Sequence, residues 1–248
     1  MIELPALEYH VAHTCNLSCE QCSHYSNFHP TVPVPSPEET AEEYAAWNNR
    51  LRPRRFALLG GEPTLNLRLV EHVRLARRAW PDSELMLVSN GFFLHRHPGL
   101  PRALVESNCR LDVSQHGTVR RYMKEFAKVR RLLWRWRAEY PGIQIKIRQS
   151  HRGWMRQYRV VDGKPMPFES DPEAAYGVCM QRSCPQLYQR RLWKCPAVAY
   201  FFTIERRLNL QWVPLWQLFR DYKGCPQTAT DVEVDVFLAA EAISQCGL

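Results

Sequence analysis

A chain of 248 residues with 45% hydrophobic side chains can bury one large domain, or one domain with a small appendage. It holds no run near the roughly 18 apolar residues of a membrane helix, and MIELPALEYH has neither region of a secretion signal, so a cytoplasmic protein is expected. The net charge of +8 comes from arginine pairs scattered along the chain, without zinc-finger spacing or aromatic RNP repeats, and reads as a solvated basic surface with nucleic acid an unlikely partner.

Residues 6–14, ALEYHVAHT, mix alternation with β-forming types and read as a first strand. The loop after it, HTCNLSCEQCSH, places Cys15, Cys19 and Cys22 within eight positions. A Pro-rich stretch leads to Ser36 as N-cap and Pro37 at N1, which open a helix through about Leu51. RRFALLGGEP is a short buried strand ending in a glycine pair. NLRLVEHVRLARRAW carries apolar residues at helical spacing and is closed by Pro81. ELMLVSNG is a third strand, followed by a weak helix near 98–107, and CRLDVSQHG is a fourth strand. RRYMKEFAKVRRLLWRWRAEY is the strongest amphipathic helix, stopped by Pro141-Gly142, and IQIKIRQS is a strictly alternating fifth strand.

This rhythm predicts an α/β fold of parallel strands joined by right-handed crossovers, with the site at their carboxyl ends. Those ends carry the cysteine loop, Gly60-Gly61-Glu62-Pro63, Ser89-Asn90-Gly91, Ser114-Gln115-His116 and Arg148-Gln149-Ser150. From about residue 151 the pattern becomes polar and irregular. Cys179, Cys184 and Cys195 then return in CMQRSCPQLYQRRLWKCPAVAY, followed by Cys225 and Cys246. Residues 1–150 and 151–248 are accordingly expected to form a barrel half and a smaller cysteine module.

Nine cysteines, an odd number in a cytosolic setting, point to metal or redox chemistry rather than to a disulfide framework. A zinc site wants four ligands, and His13 or His24 can complete the three thiols of the first loop. Three thiolates on a four-iron cluster leave one iron open to a further ligand. Both options stand on the residues alone. Cys109, far from the rim, reads as a small buried hydrophobe.

The Cys-x3-Cys-x2-Cys spacing of Cys15, Cys19 and Cys22 resembles the signature of radical S-adenosylmethionine (SAM) enzymes, and the likeness extends over about residues 6–150. LLGGEP is similar to the family's Gly-Gly-Glu-Pro segment and VSNG to its strand-three segment. Ser114 stands where the family often contacts the SAM ribose or carboxylate. The resemblance implies a partial (β/α) barrel of about five to six strands and four to five helices. It also implies a [4Fe–4S] cluster on the three cysteines and SAM held by Gly60, Gly61, Glu62, Pro63, Ser89, Asn90 and Ser114. Glu62 is expected to accept from the SAM ammonium. One electron, from a donor such as flavodoxin or ferredoxin, is expected to trigger cleavage of SAM to a 5′-deoxyadenosyl radical that abstracts hydrogen from substrate. Where the family commonly has an aromatic residue before the third cysteine this chain has Gln21, so adenine contacts fall to the backbone or Tyr25.

The later cysteines resemble the auxiliary-cluster module called SPASM or twitch, with LWKCP as its hairpin strand. A second [4Fe–4S] cluster on Cys179, Cys184, Cys195 and Cys246 is the implied arrangement, with Cys225 as the alternative fourth ligand. A structural zinc knot is the bland alternative. His116, Arg148 and His24 are candidate catalytic contacts, and Cys225 is the spare thiol an epimerase would use as hydrogen donor. A peptide maturase of this kind usually carries a leader-binding domain before the barrel, whereas this chain begins its first strand within ten residues. The expected substrate is therefore a small polyhydroxylated metabolite of sugar, aminocyclitol or nucleoside type from natural-product biosynthesis, phosphorylated or nucleotide-linked in keeping with the basic charge. Oxidation, epimerisation or atom insertion is the expected outcome. The rival readings are a peptide-modifying maturase and, from another class, a zinc-stabilised nucleic-acid-binding protein.

Overall fold

Alternating apolar residues bury one face of each strand against helices and leave the other facing inward. The computed structural model describes residues 1–20, 22–150 and 158–247. Its first part runs β1 (Ile2–Ala12), α1 (Pro37–Ala45), β2 (Leu51–Gly60), α2 (Leu69–Ala79), β3 (Glu84–Ser89), α3 (Leu100–Glu106), β4 (Cys109–Gln115), α4 (Arg120–Glu139) and β5 (Ile145–Gln149). Strands β1 to β5 pair in sequence order and all in parallel, as strand–helix alternation requires.

Leu7, Tyr9, Phe56, Leu58, Leu85, Leu87, Leu111 and Val113 point outward from the strands into the main core. Helix α4 meets that core with Phe126, Val129, Leu133 and Trp136, spaced three or four positions apart along one face. Burying each contributes about 1.5–3 kcal/mol. Helix α1 begins with a complete capping box, in which Ser36 accepts from the Glu39 amide at 3.1 Å and the Ser36 amide donates to Glu39 at 2.7 Å. It ends at Ala45 rather than near Leu51. Trp47 turns fully into the core, and Leu51 already pairs with Ile2 as the first residue of β2.

After residue 157 the chain adds β6 (Arg159–Val161), β7 (Lys164–Met166), α5 (Pro172–Val178), β8 (Gln186–Tyr188), β9 (Arg191–Trp193), α6 (Pro196–Ala199), α7 (Phe201–Arg207), α8 (Gln217–Asp221), β10 (Cys225–Pro226) and α9 (Asp231–Ala239). Strands β6 and β7 form a separate ribbon, whereas β8 pairs in parallel with the free edge of β1. The result is one eight-stranded sheet in the order β10-β9-β8-β1-β2-β3-β4-β5. The β8–β9 turn sets both Gln189 and Arg190 at positive φ, 53° and 56°, a conformation that L side chains resist. Its hold lies on α1: the Arg190 amide donates to the Glu43 carboxylate at 2.5 Å, and the Arg190 guanidinium pairs with Glu42. Among the described residues no helix is long and apolar enough to cross a membrane.

Candidate active site

The cysteine loop is tied to the end of β2 by backbone hydrogen bonds. The Gly61 amide donates to Ala12 O and the Glu62 amide to Thr14 O, both at 2.9 Å. Approach is so close that a Cβ on Gly61 would fall 2.1 Å from Thr14 O, and one on Gly60 2.0 Å from Ala12 O. Only glycine fits at either position. On the other side Asn90 Nδ2 donates to Asn16 Oδ1 at 2.8 Å and reaches Cys15 Sγ at 3.8 Å. Tyr9, Thr40, His72 and Asn66 form a buried chain of polar contacts of 2.9 to 3.0 Å, and Asn66 Nδ2 donates onward to Val11 O, bracing the turn after Glu62.

Inside the sheet lies a cavity of about 990 Å³. Its wall is the inner strand face: Glu8 on β1, Arg55 and Leu59 on β2, Met86 and Val88 on β3, Ser114 on β4 and Arg148 on β5. Cys15, Cys19 and Cys22 reach this cavity from the first loop, and Cys179, Cys184, Cys195 and Cys246 from the C-terminal part. Cys246 is brought there by the last turn of the chain, where the Ser170 amide and hydroxyl donate to Gly247 O at 2.6 and 2.9 Å.

All nine cysteines carry free thiols. Burial pushes Cys15 and Cys195 up to about 12 and raises Cys19, Cys184 and Cys246 as well, so these thiols stay protonated unless a cation replaces the proton. Several sulfurs already accept amide N–H groups: Cys15 from Leu17 at 3.4 Å, Cys179 from Gln181 at 3.4 Å and Cys246 from Ile243 at 3.5 Å. The same i+2 amide-to-sulfur contact recurs at Cys15 and Cys179, and such contacts stabilise the thiolate charge of a metal ligand. Among the described residues no three His, Cys, Asp or Glu side chains are gathered as for a single metal ion. Soft thiolates in sets of three and four are the donors that iron–sulfur clusters take.

Other expected site residues divide into two groups. His24, Gly60, Gly61, Ser89, Asn90, Ser114, His116 and Arg148 line the cavity. His116 Nδ1 stands 3.6 Å from Cys19 Sγ, and Arg148 Nε donates to Ser114 Oγ at 3.0 Å. His24 Nδ1 lies 2.5 Å from His10 Nε2, and His10 stacks on Tyr200 with ring centroids 3.9 Å apart. His10 Nδ1 in turn lies 3.3 Å from His13 Nδ1, and burial lowers all three histidines, His13 and His24 to about 4.

Glu62, Pro63 and Cys225 stand outside the cavity. Glu62 is fully buried, and its carboxylate accepts from the Thr64 amide and hydroxyl, the Ser89 hydroxyl and the Asn90 amide at 2.5 to 3.1 Å. These bonds tie the ends of β2 and β3 together, three of them falling on Oε1 and one on Oε2. Pro63 is buried in the same turn. At Cys225, β10 pairs with β9, and the residue is buried in the main core with Leu192. Tyr25 packs with Tyr200, Phe201 and Trp216 instead of lining the cavity. Gln21 lies outside the described residues. Cys109 is buried in the main core, as its position suggests.

Glu8, Arg55 and His10 were legible yet passed over. Charged or polar residues at alternate positions of an otherwise apolar buried strand mark an inward face. Burial raises Glu8, and Gln186 Nε2 donates to its carboxylate at 2.6 Å.

A model of the radical SAM superfamily matches residues 9–139, just over half of the chain. The chain belongs to the radical SAM superfamily. It is therefore an enzyme, and membership implies a [4Fe–4S] cluster and SAM as cofactors. This sets aside the zinc-stabilised nucleic-acid-binding alternative. Solved structures similar to this radical SAM chain include BtrN in complex with AdoMet and 2-DOIA, at 17% identity over 78% of this chain and 73% of that one, with a TM-score of 0.47. Native anSMEcpe with bound AdoMet and Cp18Cys peptide shares 20% identity over 58% of this chain, with a TM-score of 0.43. The chain spans 42% of the length of that structure. SuiB from Streptococcus suis bound to S-adenosylmethionine shares 8% identity over 89% of this chain and 68% of its own, with a TM-score of 0.40. No curated protein matches the chain.

Proposed function

We propose that this radical SAM enzyme uses two [4Fe–4S] clusters to abstract hydrogen from a small polyhydroxylated metabolite, with residues 1–150 as the SAM half and 151–248 as a SPASM/twitch-like auxiliary module. One observation carries the reading: seven thiols from segments more than 150 positions apart face one cavity, with polar side chains of the inner sheet face beside them. Cys15, Cys19 and Cys22 would hold the cluster that binds SAM. Cys179, Cys184, Cys195 and Cys246 would hold the second, Cys246 being supported over Cys225 because it lines the cavity. When bound, the first cluster and SAM supply a 5′-deoxyadenosyl radical that takes a hydrogen atom from substrate.

The chain's own residues do the rest. Gly60 and Gly61 allow the SAM-bearing loop to lie against β2, while Ser89, Asn90 and Ser114 line the same wall and offer polar contacts. Arg148, fixed through Nε by Ser114, keeps its remaining N–H groups for substrate hydroxyls or a phosphate. His116 sits beside Cys19 and His24 is held by His10, so each is oriented before substrate arrives. Oxidation further requires a proton acceptor, and Glu8 puts a carboxylate on the cavity wall. A volume of about 990 Å³, shared with SAM and two clusters, leaves room of small-metabolite size, which favours that substrate class over a peptide. The electron is expected from a flavodoxin- or ferredoxin-type donor, in the cytoplasm.

Anaerobic reconstitution of two variants tests the assignment. Cys15→Ala is expected to reduce 5′-deoxyadenosine formation to background, whereas Cys184→Ala is expected to keep uncoupled SAM cleavage and lose substrate turnover. Equal loss of cleavage in both would remove the separate roles. Deuterium passing from a labelled sugar, aminocyclitol or nucleoside into 5′-deoxyadenosine would identify the substrate class.

A further inference from the structure

Helix α4 buries one face and presents a strongly cationic one. At 3.6 residues per turn, Arg120, Lys124, Arg131 and Arg135 fall within roughly 60° of the helix circumference. All four are exposed, as is Arg121 in the first turn, and among the described residues none of the five is in an ion pair. Glu125, the acid on the same stretch of helix, is paired with Lys128 at 2.6 Å. Val119, immediately before the helix, is an exposed apolar residue at 69% accessibility.

This patch is joined to the cysteine loop by two side chains. Tyr122, in the first turn of α4, accepts the His116 amide at 2.8 Å, and His116 Nδ1 lies 3.6 Å from Cys19 Sγ. The Tyr122 ring lies directly over Gly117, where an added Cβ would come within 3.0 to 3.3 Å of it. The first turn of the helix is therefore the surface from which Cys19 is reached through packed groups.

We propose that the first half of α4, with Arg120, Arg121 and Lys124 around Val119, docks an acidic flavoprotein that delivers the electron, with Tyr122 and His116 bridging to Cys19. The inference rests on the loop cysteines holding the SAM-binding cluster. Among the described residues, Arg120, Arg121 and Lys124 stand outside any ion pair, and against them only Glu125, itself held by Lys128, supplies opposing charge, so the patch favours an acidic surface. The bare Val119 at its foot suits the apolar methyl-bearing edge of a flavin. In the transfer the reduced flavin loses one electron and the cluster gains it.

The test uses the reconstituted holoenzyme and an acidic flavodoxin, comparing wild type with the triple variant Arg120→Glu, Arg121→Glu, Lys124→Glu. Flavodoxin binding, followed by flavin fluorescence anisotropy, is expected to weaken about tenfold or more in the variant, and raised ionic strength is expected to weaken the wild type far more than the variant. SAM cleavage driven by reduced flavodoxin should fall in step, while cleavage driven by dithionite should stay at the wild-type rate. Equal flavodoxin affinity in both proteins, with dithionite cleavage intact, overturns the docking face alone. Binding of a DNA duplex rather than flavodoxin to this face overturns it too. Absence of dithionite-driven cleavage from the wild type overturns the cluster assignment and this inference with it.

Discussion

The two cysteine sets reach the same cavity by opposite routes. Cys15, Cys19 and Cys22 sit on one loop, and that loop is fastened on one side by the backbone amides of Gly61 and Glu62 and on the other by the Asn90 side chain, which donates to Asn16 of the loop. Cys179, Cys184, Cys195 and Cys246 are spread over 68 positions and converge only because β8 joins the edge of β1 and the Ser244–Gly247 turn folds back on Ser170. The first set is pre-organised locally, whereas the second depends on the docking of a whole segment. Damage to the two should therefore look different.

The sharpest way to break the first set is Gly61→Ala. The new methyl would lie 2.1 Å from Thr14 O and 2.4 Å from its carbonyl carbon, neither of which is a flexible side-chain end. The expected cost is about 3 kcal/mol or more, a fall in Tm of roughly 6–12 °C. Calorimetry of the variant measures it, and SAM cleavage is expected to disappear along with the stability. A variant that melts within a degree of wild type would mean that the loop is not held by this contact.

The same contrast explains what could be read before the fold was known. The barrel strands, their parallel order and the loop triad were legible because alternation, helix caps and Cys spacing are local signals. That Cys246 would face the same cavity as Cys179 is expected only through family resemblance, since nothing local links positions so far apart. At Glu62 the sequence shows only an acid at a strand end, and the structure adds the four donors that tie it to Thr64, Ser89 and Asn90. A lone cysteine such as Cys225 likewise gives no sign in the sequence of whether its two-residue strand faces cavity or core. Helix α1 stopped six residues short of expectation because Trp47 serves the core better outside the helix.

Docking of the second set can be sharpened through Glu43, which holds the strained β8–β9 turn from α1. Burial pushes its carboxyl from the usual 4.5 up to about 7, the Arg190 contact opposing the rise. A raised native value means that the folded state binds the proton more tightly than the unfolded one. Its contribution is therefore complete below pH 4.5 and is lost as pH climbs through 7. Between pH 5 and pH 7 this amounts to on the order of 2 kcal/mol of stability. Glu43→Gln keeps an oxygen for the Arg190 amide but has no proton to lose. Denaturant titrations at both pH values should show the wild type losing about 2 kcal/mol more than the variant over that interval. Parallel pH profiles would mean that Glu43 is solvated in solution.

The least costly change in stability should also be the most selective. Gly247 lies so close to Ser170 that a Cβ would fall 2.2 Å from its carbonyl oxygen, and its own carbonyl accepts both Ser170 donors. In Gly247→Ala the final turn must lift away, taking Cys246 with it. Only the short turn Ser244–Gly247 moves, so global stability should change by less than about 1 kcal/mol. Iron analysis with electron paramagnetic resonance should nevertheless show loss of the cluster assigned to the C-terminal cysteines, with the loop cluster and 5′-deoxyadenosine formation kept. Full iron content in this variant would favour a fourth ligand other than Cys246, whereas loss of both clusters would mean that the two sets are coupled and that the cavity assembles as one unit.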